Sequence, residues 1–178
     1  MRMNPNKTGG IMDDMIEKVA NRFDHQKSLA LINWLSAKTR QLRVSEHTYV
    51  VGGAVRNFVI DQPIKDVDIM LDSIAARMDA DRLAQSLARF IPSSTVTTNQ
   101  YGVAIIGVSS SSSWEIDGIS FAGEIIEIAN ARKEFYGQGG YKPNEVSPAS
   151  IEEDTYRREF TFNTLMWRLS EVSNGVDK

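Results

Sequence analysis

VVGGAVRNFVIDQPIKDVDIML, residues 50–71, carries the pattern from which the fold class follows. A β-rich run, HTYVV at 47–51, ends on the pair Gly52-Gly53. AVRNFVI (54–60) then reads as a short helix stopped by Asp61 and Pro63, and DVDIML (66–71) as a second strand. Successive strand side chains alternate, so Val67, Ile69 and Leu71 share one face and Asp66, Asp68 and Met70 the other. Two glycines at a strand end let the backbone come close to a ligand, and the helix N-terminus after them favours phosphate. Arg56, one turn into that helix, adds a cation for the same phosphates. Gly-Gly alone reads as a tight strand-to-helix turn; strand, Gly-Gly, helix and D-x-D in that order form a more specific signal.

Alternate residues of a strand repeat every ~6.5–7 Å, which puts Asp66 and Asp68 side by side. Neighbouring carboxylates repel unless a cation sits between them. Mg²⁺ prefers such hard oxygen ligands and completes its shell with substrate phosphates. Two such ions ~3.5–4 Å apart activate an attacking hydroxyl and stabilise a leaving group. A D-x-D by itself also occurs on ordinary surface strands. A third carboxylate is expected on a neighbouring strand: Glu127 alternates with Ile126 and Ile128 and lies shortly before Arg132, while Glu115, Asp117 and Glu124 compete for the role. On spacing alone Glu127 reads equally as an exposed glutamate at a strand edge.

Outward from this centre, Met12, Met15, Ile16, Val19 and Phe23 recur at helical spacing. A second helical stretch runs from about Ser28 to Leu42, with Leu31, Leu35 and Leu42 on one side and Trp34 beside them. Residues 1–10 read as a disordered lead, and 1–45 as an N-terminal helical extension to a domain spanning 46–178. The helical pair either packs on that domain or offers a partner a docking surface. Downstream, 79–91 is an amphipathic helix with Leu83, Leu87 and Phe90 inward, and 103–108 is an apolar strand. The serines at 109–113 read as a flexible connection, 115–121 as a hairpin arm, 124–129 as a strand and 133–149 as a Gly/Pro-punctuated loop. A last helix begins near Ser150 and continues through Leu169. The fold class is α+β: a small mixed sheet with helices packed on one side.

With 178 residues, 42% of them hydrophobic, the chain can bury one core without staples. It has no cysteine, which excludes disulfides, thiolate metal sites and cysteine nucleophiles. The apolar run VAIIGV is too short to span a bilayer and the N-terminus has no apolar signal core, so the reading is cytoplasmic, with no membrane partner. The net charge of −3 lacks the basic excess of a broad nucleic-acid surface, so any such contact within this chain is small or its main surface lies elsewhere. His25 and His47 have no metal partner at useful spacing and read as structural or surface residues.

Together, these segments resemble a known group. Residues 50–71 resemble the G-G-x-V-R…D-x-D signature in the head domain of class II tRNA CCA-adding enzymes and bacterial poly(A) polymerases, within the polymerase-β-like nucleotidyltransferases. IEEDTYRREFTFNTLMWRL (151–169) is similar to that family's E-x-D-x-x-R-R-D-F-T-x-N-A segment. EIANARKEFY (127–136) more weakly resembles the strand and arginine between them. The resemblance implies that Gly52, Gly53 and Arg56 hold a nucleoside triphosphate and that Asp66 and Asp68 bind catalytic Mg²⁺; Glu127, preferred as third carboxylate for its place in the strand before Arg132, rests on position alone. It places Arg157 and Arg158 near the incoming nucleotide and gives Asn163 a part in fixing the site; Arg132, in the weaker match, is a further nucleotide-binding candidate. Without the resemblance, Arg157-Arg158 beside Glu152, Glu153 and Asp154 also reads as a solvated charge cluster.

Glu159 stands where the family carries an Asp implicated in ribose recognition, which bears on ribonucleotide selectivity, and Thr164 replaces the usual Ala. The implied function is Mg²⁺-dependent, template-independent transfer of a nucleoside monophosphate from CTP or ATP to an RNA 3′ end, above all tRNA CCA addition. Poly(A) addition is one alternative; a nucleotide-binding or interaction module without catalysis is another. The family's helical neck, which selects the base, and its RNA-holding body and tail have no counterpart expected in this sequence.

Overall fold

The computed structural model describes residues 8–64, 66–135, 145–156 and 164–172, with side chains from Asp24 onward. In chain order the elements are α1 (Thr8–Gln41), β1 (Thr48–Val51), α2 (Gly53–Val59), β2 (Asp68–Leu71), α3 (Ser73–Ala76), α4 (Ala80–Ala88), β3 (Ser94–Thr98), β4 (Ala104–Val108), β5 (Glu115–Ile116), β6 (Ile119–Ser120), β7 (Ile125–Asn130), β8 (Arg132–Phe135), β9 (Glu145–Pro148), α5 (Ile151–Tyr156) and β10 (Met166–Arg168). Six strands form one mixed sheet in the order β10-β1-β2-β7-β4-β3. Its β2–β7 pair is parallel and its other neighbours are antiparallel. A parallel pair needs a long crossover, which α3, α4 and the β3–β6 strands supply.

The alternation read in β2 sorts residues between two apolar layers. Ile69 and Leu71 join Ile126 and Ile128 of β7, Ala104 and Ile106 of β4, Leu83 and Leu87 of α4 and Leu31, Ile32 and Leu35 of α1 in the main core. Met70 faces the opposite side with Tyr49, Val51 and Ala131, where Ile151 and Met166 pack against them. The helices α1 and α4 thus share the main-core face, and among the described helices only α5, through Ile151, packs against the other. α4 starts cleanly because Asp79 accepts from Arg82 N at 2.8 Å and Asn130 Oδ1 accepts from Ala80 N at 2.8 Å. Phe90, expected inward, is instead half-buried beyond the end of α4, with the Lys38 ammonium 4.4 Å from its ring centre.

Several expectations are corrected. The two N-terminal helices are one continuous helix, α1, and residues 8–10 belong to it. DHQK, between the two expected segments, contains neither Gly nor Pro to interrupt the backbone ladder. The last helix does not continue through Leu169: it is described over Ile151–Tyr156 (α5), residues 157–163 of the expected helix lie outside the described residues, and Met166–Arg168 is a strand pairing with β1, Val50 opposite Trp167. The loop at 133–149 contains the β8–β9 ladder, with Lys133 opposite Ser147. β3 was not foreseen; its Thr- and Val-rich composition suits an edge strand. The serine run is anchored, since Ser112 Oγ donates to Pro92 O at 2.6 Å and Ser109 N to Ser93 O at 2.9 Å. The hairpin arm stands, turning through Asp117 and Gly118, both at positive φ (51° and 77°), which suits a two-residue turn.

From Asp24 on, α1 is tied to distant parts of the chain. Ser28 Oγ donates to Ile64 O at 3.2 Å, and Ile64 N donates to His25 Nδ1 at 3.2 Å, giving that histidine the structural place expected of it. Ser36 Oγ donates to Leu169 O at 2.8 Å, and Arg40 Nη2 reaches Ser170 O and Val172 O, each at 2.7 Å. Trp34 meets Trp114 edge-on with ring centres 5.1 Å apart. Among the described residues, no helix is long and apolar enough to cross a membrane.

Leu35 is fully buried at the centre of the α1 contact. Leu35→Ala is expected to cost about 2–5 kcal/mol in urea unfolding. A loss below about 1 kcal/mol would show that α1 is not part of the cooperative core.

Candidate active site

The register between strands brings the acidic residues together. Val51 of β1 lies opposite Asp68, and Ile69 of β2 lies opposite Ile128 of β7. One step toward the strand starts, Asp68 and Glu127 stand on adjacent strands, on the face away from Ile69 and Ile128. Both are exposed, and both line a pocket of about 210 Å³ with Val51, Met70 and Arg132. Asp68 and Glu127 also line a larger cleft of about 510 Å³, shared with Asp66, Val67 and the Asp24–Leu31 side of α1. Asp66 does not sit on the strand: β2 begins at Asp68, so Asp66 enters the cleft from the segment before it. Side-by-side projection along the strand therefore does not describe the Asp66–Asp68 pair.

The rival carboxylates fall elsewhere. Glu115 and Asp117 belong to the β5–β6 hairpin and its turn. Glu124 borders the cleft but is ion-paired with Lys27, whose ammonium lies 5.2 Å from the Phe121 ring centre.

Gly52 has φ +71°, and a Cβ there would lie 3.4 Å from Asp68 Oδ2. Glycine at this position thus meets a backbone requirement and gives room for close approach to the acid. A Cβ on Gly53 would meet Arg56 Nη2 at 3.4 Å, so the guanidinium folds back over the Gly-Gly turn. It is held there by Asn57, whose Oδ1 accepts from Arg56 Nε and Nη2 at 3.1 and 3.0 Å and whose Nδ2 donates to Pro63 O at 2.9 Å. Arg132 is half-buried; its Nη1 donates to Tyr101 O at 3.2 Å and its Nε to Glu134 Oε1 at 2.8 Å. Arg157, Arg158, Glu159 and Asn163 lie outside the described residues.

The donor set fits a hard divalent ion. Among the described residues, no three carboxylate or imidazole groups converge to hold a metal by themselves. Two carboxylates such as Asp66 and Asp68, completed by substrate phosphate and water, match how Mg²⁺ is usually bound.

Two carboxylates outside the expected site organise α5. Ser150 and Glu153 form a capping box on α5: Glu153 N donates to Ser150 Oγ at 3.3 Å and Ser150 N to Glu153 Oε2 at 3.1 Å. The S-x-x-E spacing was the available signal. Asp72, just past β2, bonds the first residue of α5, and no local pattern announces it.

The Lys133 side chain, then the Ser150 backbone N–H, hold the Glu153 carboxyl below its ordinary 4.5. A depressed carboxylate contributes stability that is present above its unfolded pKa and lost as pH falls through the folded value. The protection factor of the Ser150 amide is therefore expected to drop as pH falls below 4.5, and Glu153→Gln should abolish that dependence. Protection in the unmodified chain that stays level down to about pH 3 would contradict this assignment.

The chain is similar to known tRNA nucleotidyltransferases. The chain is 31% identical over 117 residues to the A-adding tRNA nucleotidyltransferase of Aquifex aeolicus, a match covering 66% of this chain and 12% of that protein. It is 28% identical over 156 residues to the A-adding tRNA nucleotidyltransferase of Geobacter sulfurreducens, covering 88% of this chain and 16% of the relative. Among solved structures, the apo form II of a CCA-adding enzyme superposes with a TM-score of 0.57 at 26% identity, over 79% of this chain and 28% of that one. The chain thus spans a minor part of the length of the proteins it matches, and its sheet and helices are those of a polymerase-β-like nucleotidyltransferase head. The family model of the poly A polymerase head domain matches residues 48–176, and the chain belongs to that family.

Proposed function

We propose that this chain is the catalytic head of an Mg²⁺-dependent, template-independent nucleotidyltransferase that moves a nucleoside monophosphate from CTP or ATP to the 3′ end of tRNA, as in CCA addition. The observation that carries this reading is the placement of Asp68 beside Glu127, against the Gly52 turn, with Asp66 in the same cleft. Family membership and the tRNA-directed names of the relatives support it. The proposed setting is the cytoplasm.

In this reading the Gly52-Gly53 turn and Arg56 hold the triphosphate, with Arg56 kept over the turn by Asn57. Asp66 and Asp68 offer oxygen ligands to Mg²⁺, which when bound neutralises phosphate charge and activates the attacking hydroxyl. Glu127 completes the acidic set from β7. The RNA 3′ oxygen bonds to the α-phosphorus as the bond from that phosphorus to pyrophosphate breaks. The hydroxyl proton passes to solvent, so no dedicated protein base is required. Arg132, Arg157 and Arg158 are assigned to the phosphates and ribose, and Asn163 to fixing the site. Guanidinium forks suit that task. Glu159, longer by one methylene than the family's Asp, is assigned to the ribose, and base choice to parts outside this head.

The test is incubation with labelled CTP or ATP, Mg²⁺ and tRNA lacking its 3′ CCA. Transfer of both nucleotides is expected, falling to background in Asp66→Ala and in Asp68→Ala. Sustained transfer in both variants would overturn the site. Nucleotide binding without transfer by the unmodified chain would mark a non-catalytic module, and repetitive addition from ATP alone would mark poly(A) synthesis.

A further inference from the structure

The far end of β2 carries a buried carboxylate to which the proposed chemistry gives no role. Asp72 follows β2 directly and is 6% exposed. Its Oδ1 accepts from Ala75 N at 3.0 Å, capping α3, and its Oδ2 accepts from Ile151 N at 3.1 Å, at the start of α5. One helical turn along, the fully buried Asp154 accepts from the backbone N of Arg132 at 3.1 Å. Backbone bonds stitch the ground between the two carboxylates: Ala131 N donates to Leu71 O at 2.8 Å and Ala149 N to Ala131 O at 3.0 Å. Arg132, at the end of this series, lines the pocket of Asp68 and Glu127.

A helix cap needs one acceptor, and a serine or threonine hydroxyl suffices. A buried carboxylate is costly unless both its oxygens are satisfied. The choice of Asp at position 72 is therefore explained by its second bond, to a residue 79 positions away, rather than by capping α3.

We propose that Asp72 is a positioning residue for nucleotide binding: by holding the first turn of α5 it keeps Asp154 on the Arg132 backbone and so fixes the Arg132 guanidinium relative to Asp68 and Glu127. This rests on the nucleotidyl-transfer reading. Without the Ile151 bond, the first turn of α5 is released and Asp154 loses its alignment with Arg132. Asp68 and Glu127 keep their places, because the β1–β2 and β2–β7 ladders do not involve Asp72. The effect accordingly falls on nucleotide affinity and spares the transfer step.

Asp72→Ser in the full chain tests this, since serine still caps α3 but is too short to reach Ile151. Two readouts are compared with the unmodified protein: amide hydrogen exchange, and KM for ATP against kcat with tRNA lacking its terminal nucleotide. Exchange at Ile151 and Arg132 is expected to quicken about tenfold, with β1 amides unchanged and the KM for ATP raised about tenfold at a kcat within about twofold. A KM and an Arg132 exchange rate both within about twofold of the unmodified values overturn the proposal, whether or not the melting temperature falls. Should Asp72→Ser fail to fold, the isosteric Asp72→Asn, which gives up one acceptor, is held to the same two readouts. If the unmodified chain transfers no nucleotide, the functional reading fails, while the exchange comparison still decides whether Asp72 holds Arg132 through α5.

Discussion

The parallel register of β2 against β7 is the constraint on which the site depends. It sets Ile69 beside Ile128, and the alternation of a pleated strand then leaves Asp68 and Glu127 together on the opposite face. A one-residue slip would turn Asp68 into the core and Ile69 out to solvent. Burial of Ile69, Leu71, Ile126 and Ile128 under α1 and α4 therefore determines where the acids stand. The energy that fixes the acids comes largely from the apolar face, while Asp68 and Glu127 stay exposed on the other.

The remaining parts of the site are arranged around that pair by backbone devices. Gly52, at φ +71°, carries the chain past Asp68 in a backbone conformation that would strain any other residue. Asn57 folds Arg56 over the same turn, and α1 bonds both the N–H and the C=O of Ile64, shortly before Asp66. On the other flank Asp72 and Asp154 tie α5 to β2 and to Arg132. Contacts far apart in sequence thus converge on a few backbone groups next to the acids. This is how a small sheet can hold charged groups exposed and still fixed.

Much of this was legible from the sequence because it is local. Alternation in DIML, the Gly-Gly turn and the amphipathic α4 depend on neighbours in the chain, and the structure keeps each of them. What could not be read depends on partners far away. Met166–Arg168 is compatible with either a helical or a strand period, and pairing with β1 decided the matter. Asp66 left the strand because the β1–β2 ladder ends at Val51 opposite Asp68. Asp72 gives no local sign of its bond to Ile151, and the role of His25 appears only when α1 meets the segment before Asp66. Apolar spacing suggests two N-terminal helices, but no breaker residue stands between them and α1 is continuous.

In the proposed function Asp66 and Asp68, against the Gly52 turn, hold a metal-bound nucleotide. The most direct measurement is titration of the chain with Mn²⁺ and a non-hydrolysable CTP analogue, following paramagnetic broadening of backbone amide signals. Broadening centred on Gly52, Asp68 and Glu127 is expected, lost in Asp68→Ala while the rest of the spectrum keeps its folded dispersion. Broadening centred elsewhere, or unchanged in Asp68→Ala, would contradict it.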